Sequence, residues 1–192
     1  MANLIIKSSA DNLVLQGSDA SPAITVGTTG TTTFAENATF SGTANNLGTI
    51  SSATTFPAGH VLQTLHDVDT TALTLSTQTY TDTDLSISIT PSSTSSKILC
   101  LWTMMAEMNT SEGFGTKLMR DSTSVFTTAT SYNVYYGGSN NARIHSTQIH
   151  IDSPSSTSAL TYKIQVSSHS GEEIKVNDAD NQSHLLIMEI AG

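Results

Sequence analysis

Six histidines and sixteen acidic residues are the side chains with which this chain of 192 residues would bind a metal or move a proton. His145 and His150 share one run that reads as a strand, and their odd spacing places them on opposite faces. One chain cannot chelate an ion with both. Only like histidines from several copies, meeting on a symmetry axis, would surround a metal; solvated or core histidine is the simpler reading. His60, His66, His169 and His184 have no spaced partners along the chain. Asn177-Asp178-Ala179-Asp180-Asn181 sets oxygen ligands at alternate positions, as a hard-cation loop does. The next acid, Glu189, falls inside an apolar run instead of at EF-hand spacing, so a solvated turn is favoured. The same reading is favoured for Asp67/Asp69 and Asp82/Asp84. Neither metal nor cofactor is expected.

Catalysis finds little support. Paired carboxylates hydrolyse glycosidic bonds in other folds, and Glu107 and Glu112 flank a Met-rich and aromatic stretch. Nothing in the sequence marks the apolar pocket that would raise the pKa of either. There is no Gly-x-Ser-x-Gly elbow, and neither a Walker loop nor a dinucleotide fingerprint. The single cysteine, Cys100, excludes an internal disulfide framework and a multi-cysteine zinc site. It lies in the apolar run Ile98-Leu99-Cys100-Leu101-Trp102 and reads as a buried structural thiol. The expectation is that the chain is not an enzyme.

Recognition chemistry concentrates in one segment, from Tyr132 to Asn141. Tyr132, Tyr135 and Tyr136, with Asn140, Asn141, Gly and Ser, have the composition of binding loops, in which flat aromatic rings and small amides contact sugars or proteins. The competing reading is a hairpin loop whose tyrosines lie at a subunit contact.

These residues must be positioned by strands. The charged fraction is 12%, about half of what is usual for globular chains, and Ser and Thr make up about 30% of the residues. Strong helix formers are thin and β-branched residues frequent, which argues against long helices. The net charge of −9 rests on 7 Lys and Arg against 16 Asp and Glu. Such a chain lacks the basic stripe of a nucleic-acid binder and the basic cluster of an anionic-membrane binder. The apolar run at the N-terminus, Leu4 to Ile6, is too short for a signal-peptide core, and no run approaches the roughly 18 apolar residues of a membrane span. The expectation is a chain made in the cytoplasm, with no nucleic-acid partner and no membrane insertion.

Three regions follow from the patterning. Residues 1–16 hold two short apolar runs, containing Leu4, Ile6, Leu13 and Leu15, around a Ser-Ser-Ala-Asp turn. They read as a hairpin or docking tab. Residues 17–58 are rich in Gly, Ser and Thr and carry only sparse apolar positions, including the repeated Thr-Phe pairs at Phe34, Phe40 and Phe56. That segment cannot build a core alone. It is either a flexible linker or a fibrous β-stalk that needs copies of itself, and the repeats favour the stalk. Residues 59–192, after the break at Pro57-Ala58-Gly59, read as short strands between polar turns. Leu85, Ile87 and Ile89 alternate with polar residues, as do Leu160, Tyr162, Ile164 and Val166. Strands are also expected near 117–120, 124–127, 144–151 and 174–176. Residues 98–105 and 185–190 are apolar on both faces. In a two-layer sandwich, the second apolar face needs a cover, and another copy of the chain is the simplest one. The fold expected is all-β: a fibrous stalk followed by an antiparallel β-sandwich.

Several runs in order resemble one group of proteins. They are Ser86-Ile-Ser-Ile-Thr-Pro-Ser-Ser-Thr-Ser-Ser-Lys-Ile-Leu99, Leu118-Met-Arg-Asp-Ser-Thr123, Ile151-Asp-Ser-Pro-Ser-Ser-Thr-Ser-Ala-Leu-Thr-Tyr-Lys-Ile-Gln165 and the ending Ile187-Met-Glu-Ile-Ala-Gly192. They look like the C-terminal domain of marine bacteriophage tail-fibre and related virion structural proteins. Pro57-Ala-Gly-His-Val-Leu-Gln63 resembles the linker before such domains, and Gly30-Thr-Thr-Thr-Phe34 is similar to their shafts. The resemblance implies a homotrimeric fibre on a virion, with a knob of tumour-necrosis-factor-like or C1q-like jelly-roll type. It implies tail or capsid proteins as partners through the N-terminus and a host-surface glycan or protein at the knob. It leaves open a head fibre or capsid decoration protein, and behind that a glycan-degrading fibre, and it brings no ligand-site motif with it.

Overall fold

A computed structural model describes residues 13–16, 22–26 and 32–34 by their backbone, and residues 56–128 and 132–192 in full. The chain forms two compact units, Met1–Thr54 and Thr55–Gly192. In the first unit, β1 (Leu13–Gln16), β2 (Pro22–Val26) and β3 (Thr32–Phe34) make an antiparallel sheet in that order. Leu13 pairs with Val26 and Leu15 with Ile24. Leu4 and Ile6, expected to pair with the Leu13 run, lie outside the described residues, as does most of the segment read as a stalk.

The second unit is an antiparallel β-sandwich, and no helix occurs among the described residues. Its strands are β4 (Val61–Asp69), β5 (Leu73–Leu75), β6 (Thr81–Ile89), β7 (Lys97–Met108), β8 (Glu112–Arg120), β9 (Thr123–Thr127), β10 (Val134–Tyr136), β11 (Ala142–Asp152), β12 (Leu160–Ser168), β13 (Ile174–Val176) and β14 (Ser183–Ile190). One sheet runs β4-β14-β7-β13-β5, with β11 on the other edge of β7; the other runs β10-β8-β12-β6, with β9 also on β8. The chain crosses between sheets at β5–β6, β6–β7, β7–β8, β10–β11, β11–β12 and β12–β13.

Period-two alternation explains the core. Leu85, Ile87 and Ile89 from β6 and Tyr162, Ile164 and Val166 from β12 meet Ile98, Cys100, Trp102, Met104, Leu185 and Ile187 from the facing sheet. Trp102 is buried, donates Nε1–H to Thr116 Oγ1 at 3.1 Å and meets Phe126 edge-on at 5.3 Å. A buried indole of this kind contributes about 3–5 kcal/mol relative to alanine. Buried Asp152 accepts from Arg120 and from the Tyr162 hydroxyl, both at 2.6 Å, so the one carboxylate at this level of the core is paired and hydrogen-bonded.

Three strands depart from the expected pattern. Val61–Asp69 was expected to hold only a linker up to Gln63, yet it forms a nine-residue strand along β14. Its apolar residues do not alternate, because its neighbour supplies the ladder and part of its side-chain surface faces solvent. Leu73–Leu75 is too short to show a period. Val134–Tyr136, expected as loop, pairs with residues 112–114.

Candidate functional site

The outer face of the sheet that holds β11, β7, β14 and β4 is a feature that the core does not use. Register aligns its rows across four strands: Thr147, Thr103, His184 and Val68; then Ile149, Leu101, Leu186 and His66; then Ile151, Leu99, Met188 and Thr64. Ile190 and Val61 extend it beside Lys97. Strand spacing and rise make the three rows about 14 Å by about 14 Å. Within these rows there is no carboxylate, lysine or arginine, although the chain carries −9. Ile149 and Ile151 are 62% and 59% exposed, and Val61 54%. The doubly apolar character expected of 98–105 and 185–190 is therefore present: Leu99, Leu101, Leu186 and Met188 stay half-buried on the outside. A contiguous apolar face of this kind marks an interaction surface.

His66 and His184 lie within this face. They are 118 residues apart in sequence, and His66 Nε2 stands 3.3 Å from His184 Nδ1. The rings are within 10° of parallel. Sequence spacing had assigned neither a partner; strand pairing between β4 and β14 makes them diagonal neighbours.

At one end of the sandwich, the tyrosine segment divides. Tyr135 is 49% exposed, while Val134 and Tyr136 pack against the core. Tyr132 lies 5.3 Å from Tyr135, and His169 joins them edge-on, at 4.5 Å from Tyr132 and 5.8 Å from Tyr135. A β-carbon at Gly113 would stand 3.2 Å from Tyr135 Cδ2 and 2.5 Å from the Val134 carbonyl, so glycine is needed where this ring crosses the neighbouring strand. Gly138 is required in the same way by the ring of Tyr136. Asn140 is exposed, and Asn141 donates to Glu107 at 3.1 Å. Of the tyrosine segment, Tyr132 and Tyr135 are thus brought together with His169, which sequence reasoning had passed over, and Tyr136 is turned inward.

Glu112 holds this end in place. Its buried carboxylate accepts from the backbone N–H of Gly113 (2.7 Å), His169 (3.0 Å), Ser170 (2.9 Å) and Glu172 (2.9 Å), and from Ser170 Oγ (2.6 Å). Burial pushes its pKa up, but the bonds from Ser170, Gly113 and Glu172 outweigh this and hold it below the usual glutamate value. Such a group keeps its charge and has no proton to give near neutral pH. Glu107, the other acid considered, pairs with Arg143 at 2.6 Å, and Arg143 also reaches Asp178 at 3.1 Å.

The other candidates separate. His145 is exposed on the outer face, and His150 lies 5.8 Å from the Phe126 ring, on the opposite face as spacing required. Around 177–181 the polar groups satisfy one another: Asn177 Oδ1 accepts from Ser183, Asn181 Nδ2 donates to the Asp178 carbonyl, and Asp178 binds Arg143. Asp67 accepts from the Ser86 N–H, Asp69 from the Thr71 N–H, and Asp82 from Lys163 and Gln165. Among the described residues no three His, Cys, Asp or Glu side chains converge for a metal. Cys100 is buried, and burial pushes its thiol pKa up to about 12. A native sample at pH 8 is expected to resist maleimide for hours and to react within minutes in 6 M guanidinium, in the ratio roughly set by its unfolding equilibrium; equal rates would place the thiol at the surface.

No protein family matches the chain, and no curated protein matches it.

Proposed function

We propose that the chain is a bacteriophage virion fibre protein, a homotrimer whose C-terminal sandwich contacts the host surface and whose N-terminal residues, Leu4, Ile6, Leu13 and Leu15 among them, dock on other virion proteins. The observation that carries the assembly is the uncharged outer face of β11, β7, β14 and β4. Its occupant is a second copy. Among the described strands, β11 pairs only with β7, and it carries the most exposed large apolar residues, Ile149 and Ile151. A bare apolar edge is an aggregation hazard unless covered. One copy thus offers a projecting apolar edge beside a flat apolar face, two different patches that fit head to tail. Such heterologous contacts close into a ring where the rotation between copies closes, and a third of a turn gives the trimer. Jelly rolls also alternate their strands between two sheets, and the alternation seen in this sandwich supports the trimeric knob that the sequence resemblance implies.

The Tyr132–Tyr135–His169 end supplies the recognising surface, through a flat ring on a rigid strand. No catalytic role is part of the proposal, since the acid beside this end is a saturated carboxylate. Light scattering tests the assembly: a mass near three times 20.2 kDa is expected, and a stable folded monomer overturns it. Tyr135→Ala tests recognition. Particles bearing it are expected to keep the fibre and to lose roughly tenfold in adsorption to host cells, a modest loss per contact multiplied over three knobs. Unchanged adsorption removes the tip from the proposal.

A further inference from the structure

We infer that His66 and His184 form a chelating site for a transition-metal ion of the zinc type, held by two imidazole nitrogens and open on its outer side. The site is independent of the trimer proposed above. His66 Nε2 and His184 Nδ1 are 3.3 Å apart, while the ring centroids are 5.4 Å apart and the rings within 10° of parallel. The nitrogens are nearer than the centroids, so the ring edges that carry them face each other. Their separation lies beyond the usual range of about 2.7–3.2 Å for a hydrogen bond from N–H. It matches the bite of a tetrahedral ion: two nitrogens at about 2.0–2.1 Å from zinc, at the tetrahedral angle, stand about 3.3–3.4 Å apart. A square-planar ion would bring them to about 2.8–3.0 Å. The ion lies about 1.2 Å off the line between the nitrogens. A turn of each ring about its Cβ–Cγ bond, a soft torsion, aims both lone pairs there. Each ring then keeps its hydrogen on the far nitrogen, His66 Nδ1 and His184 Nε2.

The strands fix this bite, and the surroundings select the ion. His184 pairs with Val68 and Leu186 with His66 in an antiparallel ladder that has no bulge between them, so the two histidines are diagonal neighbours on a rigid sheet. Pre-organisation of this kind spares the ion the cost of gathering ligands that are 118 residues apart in the chain. On the same face the neighbours are Thr64 and Val68 on β4, Leu186 on β14, and Leu101 and Thr103 on β7. No lysine or arginine among them repels a cation, and no carboxylate supplies the oxygen that calcium or magnesium needs. Asp67 and Asp69 alternate to the opposite face of β4, where they accept from Ser86 and Thr71. Paired imidazoles suit zinc, copper and nickel, and the bite singles out zinc. The net charge of −9 adds a general attraction for cations. β4 is the last strand of its sheet and His66 is exposed, so water reaches the two remaining positions of the ion.

Zinc chloride titrated into the full chain, free of any polyhistidine tag, tests the site by calorimetry at neutral pH. One zinc per chain is expected. His66→Gln and His184→Gln should each weaken binding at least about tenfold, because a single imidazole lacks the effective concentration of a second arm. His145→Gln should leave it unchanged, and calcium chloride should not compete. Long-range proton–nitrogen spectra of the wild type locate the ion without any substitution: zinc should move His66 Nε2 and His184 Nδ1 and leave the ring nitrogens of His60, His145 and His150 in place. Absence of saturable binding, zinc shifts confined to other histidines, displacement of zinc by calcium, or a His66→Gln, His184→Gln double variant that binds as tightly as wild type overturns the inference.

Discussion

Leu186→Asp is expected to leave each chain folded and to separate the copies. Leu186 sits in the middle row of the outer face, between Leu101 and His66, and is half-buried within its own chain. Its aspartate replacement keeps access to water in the free chain, so the sandwich should lose no more than about 1 kcal/mol. In the assembly the same carboxylate would be covered by an apolar neighbour with no cation to meet it. Leaving a charge buried and unpaired costs about 3–5 kcal/mol, and a ring of three repeats that cost three times. The trimer constant should therefore fall by at least six orders of magnitude. Light scattering is expected to move from a mass near three chains to 20.2 kDa, with the β-type circular dichroism retained. Thr64→Asp, at the rim on β4, should have a much smaller effect. A Leu186→Asp protein that remains trimeric would show that the copies meet elsewhere.

Alternation made much of the sandwich legible. β6 and β12 were recognised because one face of each is polar, and the runs at 98–105 and 185–190 stood out because theirs are not. The outer face follows from the same reasoning. What the sequence hid was pairing. His66 and His184 become neighbours only because β4 lies on β14, and β4 was missed because Leu62, Leu65 and Val68 do not keep a period of two. The tip was half visible. Its tyrosines showed by composition, but composition does not separate Tyr135, which faces out, from Tyr136, which faces the core; the direction depends on the pairing of β10 with β8. His169 comes from a distant strand end and had no local signal at all.

Glu112→Gln is expected to cost about 3 kcal/mol and to unsettle the tip before the rest of the sandwich. The native carboxylate takes five hydrogen bonds, four from backbone N–H groups on both sides of a gap of nearly sixty residues. Glutamine has the same shape but turns one acceptor oxygen into a donor. Whichever way the amide sits, it points N–H at N–H, and at least one buried donor is left unmatched at about 1–3 kcal/mol, with loss of charge assistance for the rest. The strands on either side depend less on this group, since β8 remains paired along β12 through residues 114–120. Hydrogen exchange should therefore rise first at His169, Ser170 and Glu172. The contacts of His169 with Tyr132 and Tyr135 should loosen with it, so adsorption should fall in parallel with that of Tyr135→Ala. The pH dependence carries a sign as well. The folded pKa is depressed, so the stability from this group is present above the unfolded value near 4.5 and is lost as pH falls through the lower folded value. Glu112→Gln should remove that part of the acid sensitivity and leave the part due to Glu189, whose carboxylate, raised by burial, is held lower still by Ser96, Ser92 and Gln63. Thermal melts at pH 7 and pH 3.5 read both effects: the gap between wild type and variant should be largest at pH 7 and narrow at pH 3.5. An equal gap at both values would mean that Glu112 is not held as a carboxylate, and the tip would then need another anchor.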